Sequence, residues 1–75
     1  MTLIRTETTV VNANAIQQLR KNNMSYETLQ SFQIILTLTD GNVYVDYTTQ
    51  SERDDAYEAL LDSLIRGEKD IWLRD

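Results

Sequence analysis

A chain of 75 residues with net charge −5, 41% hydrophobic and 25% charged residues, has the composition of one small folded domain rather than a disordered segment. With no cysteine and no histidine it has neither disulfide staples nor the usual zinc ligands, and no apolar run has the length of a membrane span or the form of a secretory signal, so a cytoplasmic protein without a membrane partner is expected. The charge excess lies wholly after Val45, which disfavours contact with phosphate backbones, and no direct nucleic-acid partner is expected.

The first segment, Thr2 to Val11, is rich in Thr, Val and Ile and reads as a strand. Asn12-Ala13-Asn14-Ala15 interrupts it. The next piece, Ile16 to Lys21, reads two ways. As a helix it uses Asn12 as N-cap and places Ala13, Ile16 and Leu19 on one narrow stripe; as a strand it follows a bend and pairs back with Thr6 to Val11. So short and narrow a helix is marginal, which favours the strand. Asn22 to Ser31 is polar and reads as a mobile connection, either with one helical turn capped by Ser25 or feeding a strand that starts near Gln30.

Phe32 to Thr49 carries the firmest pattern. Taking Asp40-Gly41 as a two-residue turn opposes Leu38 to Val43, Leu36 to Val45 and Ile34 to Tyr47. One face then holds Phe32, Ile34, Leu36, Leu38, Val43, Val45 and Tyr47, while Gln33, Ile35, Thr37, Tyr44, Asp46 and Thr48 take the other. A helix follows from Ser51 to Arg66, with Ser51 and Asp54 in capping-box spacing and Gly67 at the position after the end. Ala56, Tyr57, Leu60, Leu61, Leu64 and Ile65 form its apolar arc. Arg53 falls inside that arc, and its guanidinium is expected to reach water. In the tail, Ile71, Trp72 and Leu73 add an edge strand, fold back as a lid or dock on a second copy. The whole amounts to an α+β domain: about four antiparallel strands with one C-terminal amphipathic helix packed on one face.

Three groups of side chains have a functional reading beside a plain one. Asp54, Glu58 and Asp62 form an i, i+4 carboxylate stripe, which is either an acidic docking strip that mimics nucleic-acid charge or a solvated helix face. These acids do not converge as a cation loop or a catalytic pair requires. Without Cys or His, and with Lys21 and Lys69 lacking a Ser or Thr partner, no nucleophile is suggested either; no enzyme, metal or cofactor is expected. Tyr44 and Ile35 form a small apolar island on the wet face of the sheet, suited to a homodimer contact, and Trp72 is either an interface anchor or a plug for the core.

Val11-Asn12-Ala13-Asn14-Ala15-Ile16, then Ile34-Ile35-Leu36-Thr37-Leu38-Thr39-Asp40-Gly41 and Val43-Tyr44-Val45, resemble the pattern of small bacterial FlbD-type flagellar proteins and similar short bacterial and phage proteins. There a strand ends in an Asn-Ala bend, a second strand opens with Ile, and a strand-turn-strand with a Gly turn follows; the resemblance implies the strand form of Ile16 to Leu19. The chain departs from it in lacking the opening strand-turn motif with Asn-Gly, in the insertion Asn22 to Ser31 and in the long acidic helix, so no function is carried over. The expected function is a non-catalytic protein-binding or assembly module, homodimeric, with an acidic inhibitor of a nucleic-acid-binding protein as the alternative.

Overall fold

The computed structural model describes residues 1–73, the side chain of Tyr26 excepted. The fold is α+β: six strands in two three-stranded sheets with one helix near the C-terminus.

The N-terminal segment is a hairpin rather than one strand. Strand β1 (Leu3–Arg5) pairs antiparallel with β2 (Val10–Asn12). The break comes from Thr6, whose hydroxyl accepts from the amides of Thr8 (3.3 Å) and Thr9 (3.1 Å) and donates to the carbonyl of Thr9, so the side chain builds the turn itself. Asn12 does act as a cap, accepting from the amide of Asn14 at 2.9 Å, but over a single 3-10 turn, Ala13–Ala15.

The chain then enters β3 (Ile16–Tyr26), which turns at Glu27-Thr28 into β4 (Leu29–Leu38), followed by β5 (Gly41–Tyr47). The strand reading of Ile16 to Lys21 is the observed one, but its partner is β4 and not the N-terminal segment. Asn22 to Ser31 is correspondingly not a connection but the outer half of this β3–β4 hairpin, with Glu27 at φ 43° in the turn. Its last rungs, Met24 opposite Ser31, Ser25 opposite Gln30 and Tyr26 opposite Leu29, run beyond the reach of β5.

In the β4–β5 hairpin the register differs from the expected one by two residues: Leu38 faces Gly41, Leu36 faces Val43 and Ile34 faces Val45. The loop residues are Thr39 and Asp40, neither with positive φ, and Gly41 takes φ +152° as the closing residue. Because side chains alternate with period two, an even shift leaves every residue on its expected face.

Helix α1 (Gln50–Ile65) is capped by Thr49, not Ser51. The Thr49 hydroxyl accepts from the Glu52 amide at 3.2 Å and donates to the Glu52 carboxylate at 2.9 Å. At the other end Gly67 sits at φ +72°, its amide reaching the Leu64 carbonyl and that of Glu68 the Ser63 carbonyl, the paired bonds of a Schellman stop. Of the three forms open to the tail, the structure has the edge strand, β6 (Asp70–Trp72), lying parallel to β1 with Ile71 beside Ile4.

One core joins both sheets and the helix. It comprises Ile4 and Val11 from the first sheet, Ile34, Leu36, Val45 and Tyr47 from the second, Leu60 of α1, and Ile71 and Leu73 of the tail. Phe32, Leu38, Val43, Ala56, Tyr57 and Leu64 pack around it. Ile65, expected in the apolar arc, is the last residue of the helix and is 84% exposed.

Candidate protein-binding surfaces

The outer face of the second sheet, away from α1, is tied by a ladder of amides. Asn22 donates to Gln33 (3.1 Å), Gln33 donates to Asp46 (2.8 Å), and Ser31 donates to the same carboxylate oxygen (3.3 Å). In this frame Ile35 is not part of an exposed island: it is 5% exposed, in the middle strand with Arg20 and Tyr44 directly opposite on its two neighbours. Tyr44 itself is half exposed and accepts from the Asn42 side chain at 3.2 Å.

Trp72 sits where alternation along β6 places it. Ile71 and Leu73 point inward and plug the core, while Trp72 between them turns outward and keeps 48% of its surface in water. It borders a shallow groove of about 220 Å³ walled by Ala56, Ala59 and Ser63 of α1. Residues with short side chains there let the groove run along the helix.

Two of the three acids in the carboxylate stripe are ion-paired. Asp54 lies 2.7 Å from the Arg53 guanidinium and 3.7 Å from the Lys21 ammonium, and Asp62 pairs with Arg66 at 3.3 Å. The hydrogen bond from Arg53 holds the Asp54 carboxyl below the usual carboxylate range, outweighing the partial desolvation that pushes it up; the charge of Lys21 acts in the same lowering direction. Glu58 is exposed on the same helix. No group of three acidic, Cys or His side chains is placed to hold a metal ion among the described residues. No described helix is long and apolar enough to cross a membrane.

The sequence reading did not anticipate the structural centre of this region. Arg53 is 4% exposed rather than reaching water. Its guanidinium donates to the Asn22 carbonyl (3.1 Å) and the Asn23 side chain (2.9 Å) and stands 5.7 Å from the Phe32 ring, binding the first turn of α1 to β3. One turn on, the Tyr57 hydroxyl reaches the Leu19 carbonyl at 3.4 Å and its ring lies 5.3 Å from the Lys21 ammonium. The signal was the presence of Lys21 and Asn23 on the same side of β3 as Leu19: polar residues on a core-facing row call for partners on the element above.

The other feature missed is the edge of β3. It ends the second sheet on one side, with no strand beyond it among the described residues. An open groove of about 330 Å³ runs along its start, lined by Ala13, Ile16, Gln17, Gln18, Leu19 and Leu64. Gln17 is skipped in the pairing, where the register shifts between Ile16 and Gln18. Comparison of the chain with protein-family models, with characterised proteins and with solved structures found no match, so the likeness to FlbD-type proteins assigns no family.

Proposed function

We propose that the chain is a non-catalytic protein-binding module that associates with a second copy of itself around Trp72. The observation that carries this reading is a half-exposed indole on an edge strand, set between two buried neighbours and beside a groove of small helical residues. A large aromatic placed in that way brings much contact area at little cost in side-chain order, as interface anchors do. Edge-to-edge or edge-to-helix contact across a two-fold axis also covers the open side of so small a sheet. The acidic-inhibitor alternative is weakened because Asp54 and Asp62 already spend their charge on Arg53, Lys21 and Arg66.

Sedimentation velocity across the micromolar range tests the proposal. A concentration-dependent dimer that Trp72→Ala abolishes, with the far-ultraviolet spectrum unchanged, supports it. A monomer throughout, or a dimer indifferent to Trp72→Ala, overturns it; Tyr44→Ala then asks whether the outer sheet face serves instead.

A further inference from the structure

We propose that the free edge of β3 receives an extended segment of another protein in which an aliphatic residue stands next to an acidic one. The proposal deepens the protein-binding reading by naming a partner class, on a surface separate from Trp72. Main-chain donors and acceptors on an edge strand supply pairing for an incoming strand, and pockets for alternate side chains supply selection. Both are present here, with the Leu19 and Asn22 carbonyls already accepting from Tyr57 and Arg53, so that pairing falls to the remaining main-chain groups of the edge. The strand is eleven residues long, and the groove formed with the 3-10 turn and the end of α1 lies alongside its first third.

Leu19 and Arg20 are consecutive and so point to opposite faces. Leu19, with Ile16 and Leu64, faces the groove, and Arg20 faces the outer side beside Ile35. A strand laid along the edge therefore sets an aliphatic side chain into the groove and the adjacent one against Arg20. Arg20 is exposed and makes no hydrogen bond or ion pair among the described residues, whereas Lys21, the other charge of β3, is already engaged by Asp54 and Tyr57. An acid opposite Arg20 is the complementary choice. A second copy of the chain is a poor source: β3 contains no Asp or Glu, so no β3-to-β3 register pairs Arg20, and the acids of the other edge strands are engaged, Asp46 of β5 by Gln33 and Ser31 and Asp70 of β6 by Arg5. A charged edge that only repelled chance pairing would not need the aliphatic side chains of Ile16, Leu19 and Leu64 gathered in an open groove at its side.

The test is selection of ten-residue peptides from a random library on the immobilised full chain, followed by amide exchange of the chain with the best peptide. Enrichment of Asp or Glu next to Val, Ile or Leu, together with slowed exchange within Gln18–Asn22, is the expected result. Arg20→Glu is expected to weaken the selected peptides by roughly tenfold and to restore binding when their acid is changed to Lys, and N-methylation of alternate peptide amides to weaken binding by a similar factor. Peptides without a shared acid, protection elsewhere, or indifference to Arg20→Glu overturns the proposal. So does concentration-dependent protection of β3 without peptide, which assigns the edge to a second copy. Dimerisation through Trp72 is read separately by sedimentation and stands or falls apart from this result.

Discussion

Replacing Arg53 by Met removes the guanidinium while keeping a stem of similar length against Phe32. Two acceptors on β3, the Asn22 carbonyl at 3.1 Å and the Asn23 side chain at 2.9 Å, lose a charged donor in a setting where Arg53 is 4% exposed. Hydrogen bonds to a charged group contribute about 1.5–3 kcal/mol each, but deleting the guanidinium also lifts its desolvation cost, and a net loss of about 2 kcal/mol remains. For a domain whose whole stability is on the order of 4–11 kcal/mol this is a large fraction, equal to about 8–16 °C in melting temperature. Urea denaturation monitored by Trp72 fluorescence measures it, and a double-mutant cycle with Asn23→Ala isolates the clamp, with a coupling of about 1 kcal/mol expected. If Arg53→Met unfolds within about 0.5 kcal/mol of the parent, or if the two changes add without coupling, the bond between α1 and β3 is not what holds that end of the sheet.

Leu60→Ala, at a position 1% exposed in the middle of the core, is expected to cost about 2–5 kcal/mol in the same urea assay; a cost under about 1 kcal/mol contradicts the placement of the core. Thr49→Ala is expected to cost about 1 kcal/mol and Ser51→Ala less than about 0.5, and the reverse order in urea midpoints would return the cap to Ser51. Because the folded state lowers the Asp54 pKa, its contribution to stability is fully present above the unfolded carboxylate pKa near pH 4 (about 3.9) and is lost as pH falls through the lower folded value. Urea midpoints between pH 6 and pH 2 should therefore fall less steeply for Asp54→Asn than for the parent, and superimposable acid limbs would show that Arg53 does not favour the ionised form.

The α+β class, the β4–β5 hairpin and the helix with its Gly67 stop were legible because each depends on local periodicity or on one residue's backbone preference, whereas the tail was left open among three forms. The seven-residue face from Phe32 to Tyr47 survives even a misplaced turn, since Thr39-Asp40 in place of Asp40-Gly41 moves the register by an even number. What was not legible depends on contacts between distant segments. Thr6 looks like any strand threonine until its hydroxyl is seen closing a turn, and Ile35 looks exposed until Arg20 is brought opposite by β3. Arg53 sits in an apolar arc, a place sequence logic resolves by sending its charge outward; the carbonyl and side chain of Asn22 and Asn23, thirty residues earlier, make burial the better solution. The ion pair between Asp54 and Lys21 was hidden for the same reason, as Lys21 lies on another element.

Ile4 and Ile71 are ladder neighbours although they come from opposite ends of the described residues, and the amide of Leu73 closes on the carbonyl of Arg5. Closing so long a loop is slow and entropically costly. During synthesis on the ribosome the β6 side of β1 stays unpaired until residues near Ile71 leave the exit tunnel. Any nascent chain stalled before that point carries a strand with one open side, and a protease or chaperone that surveys new polypeptides meets this domain at its most vulnerable moment.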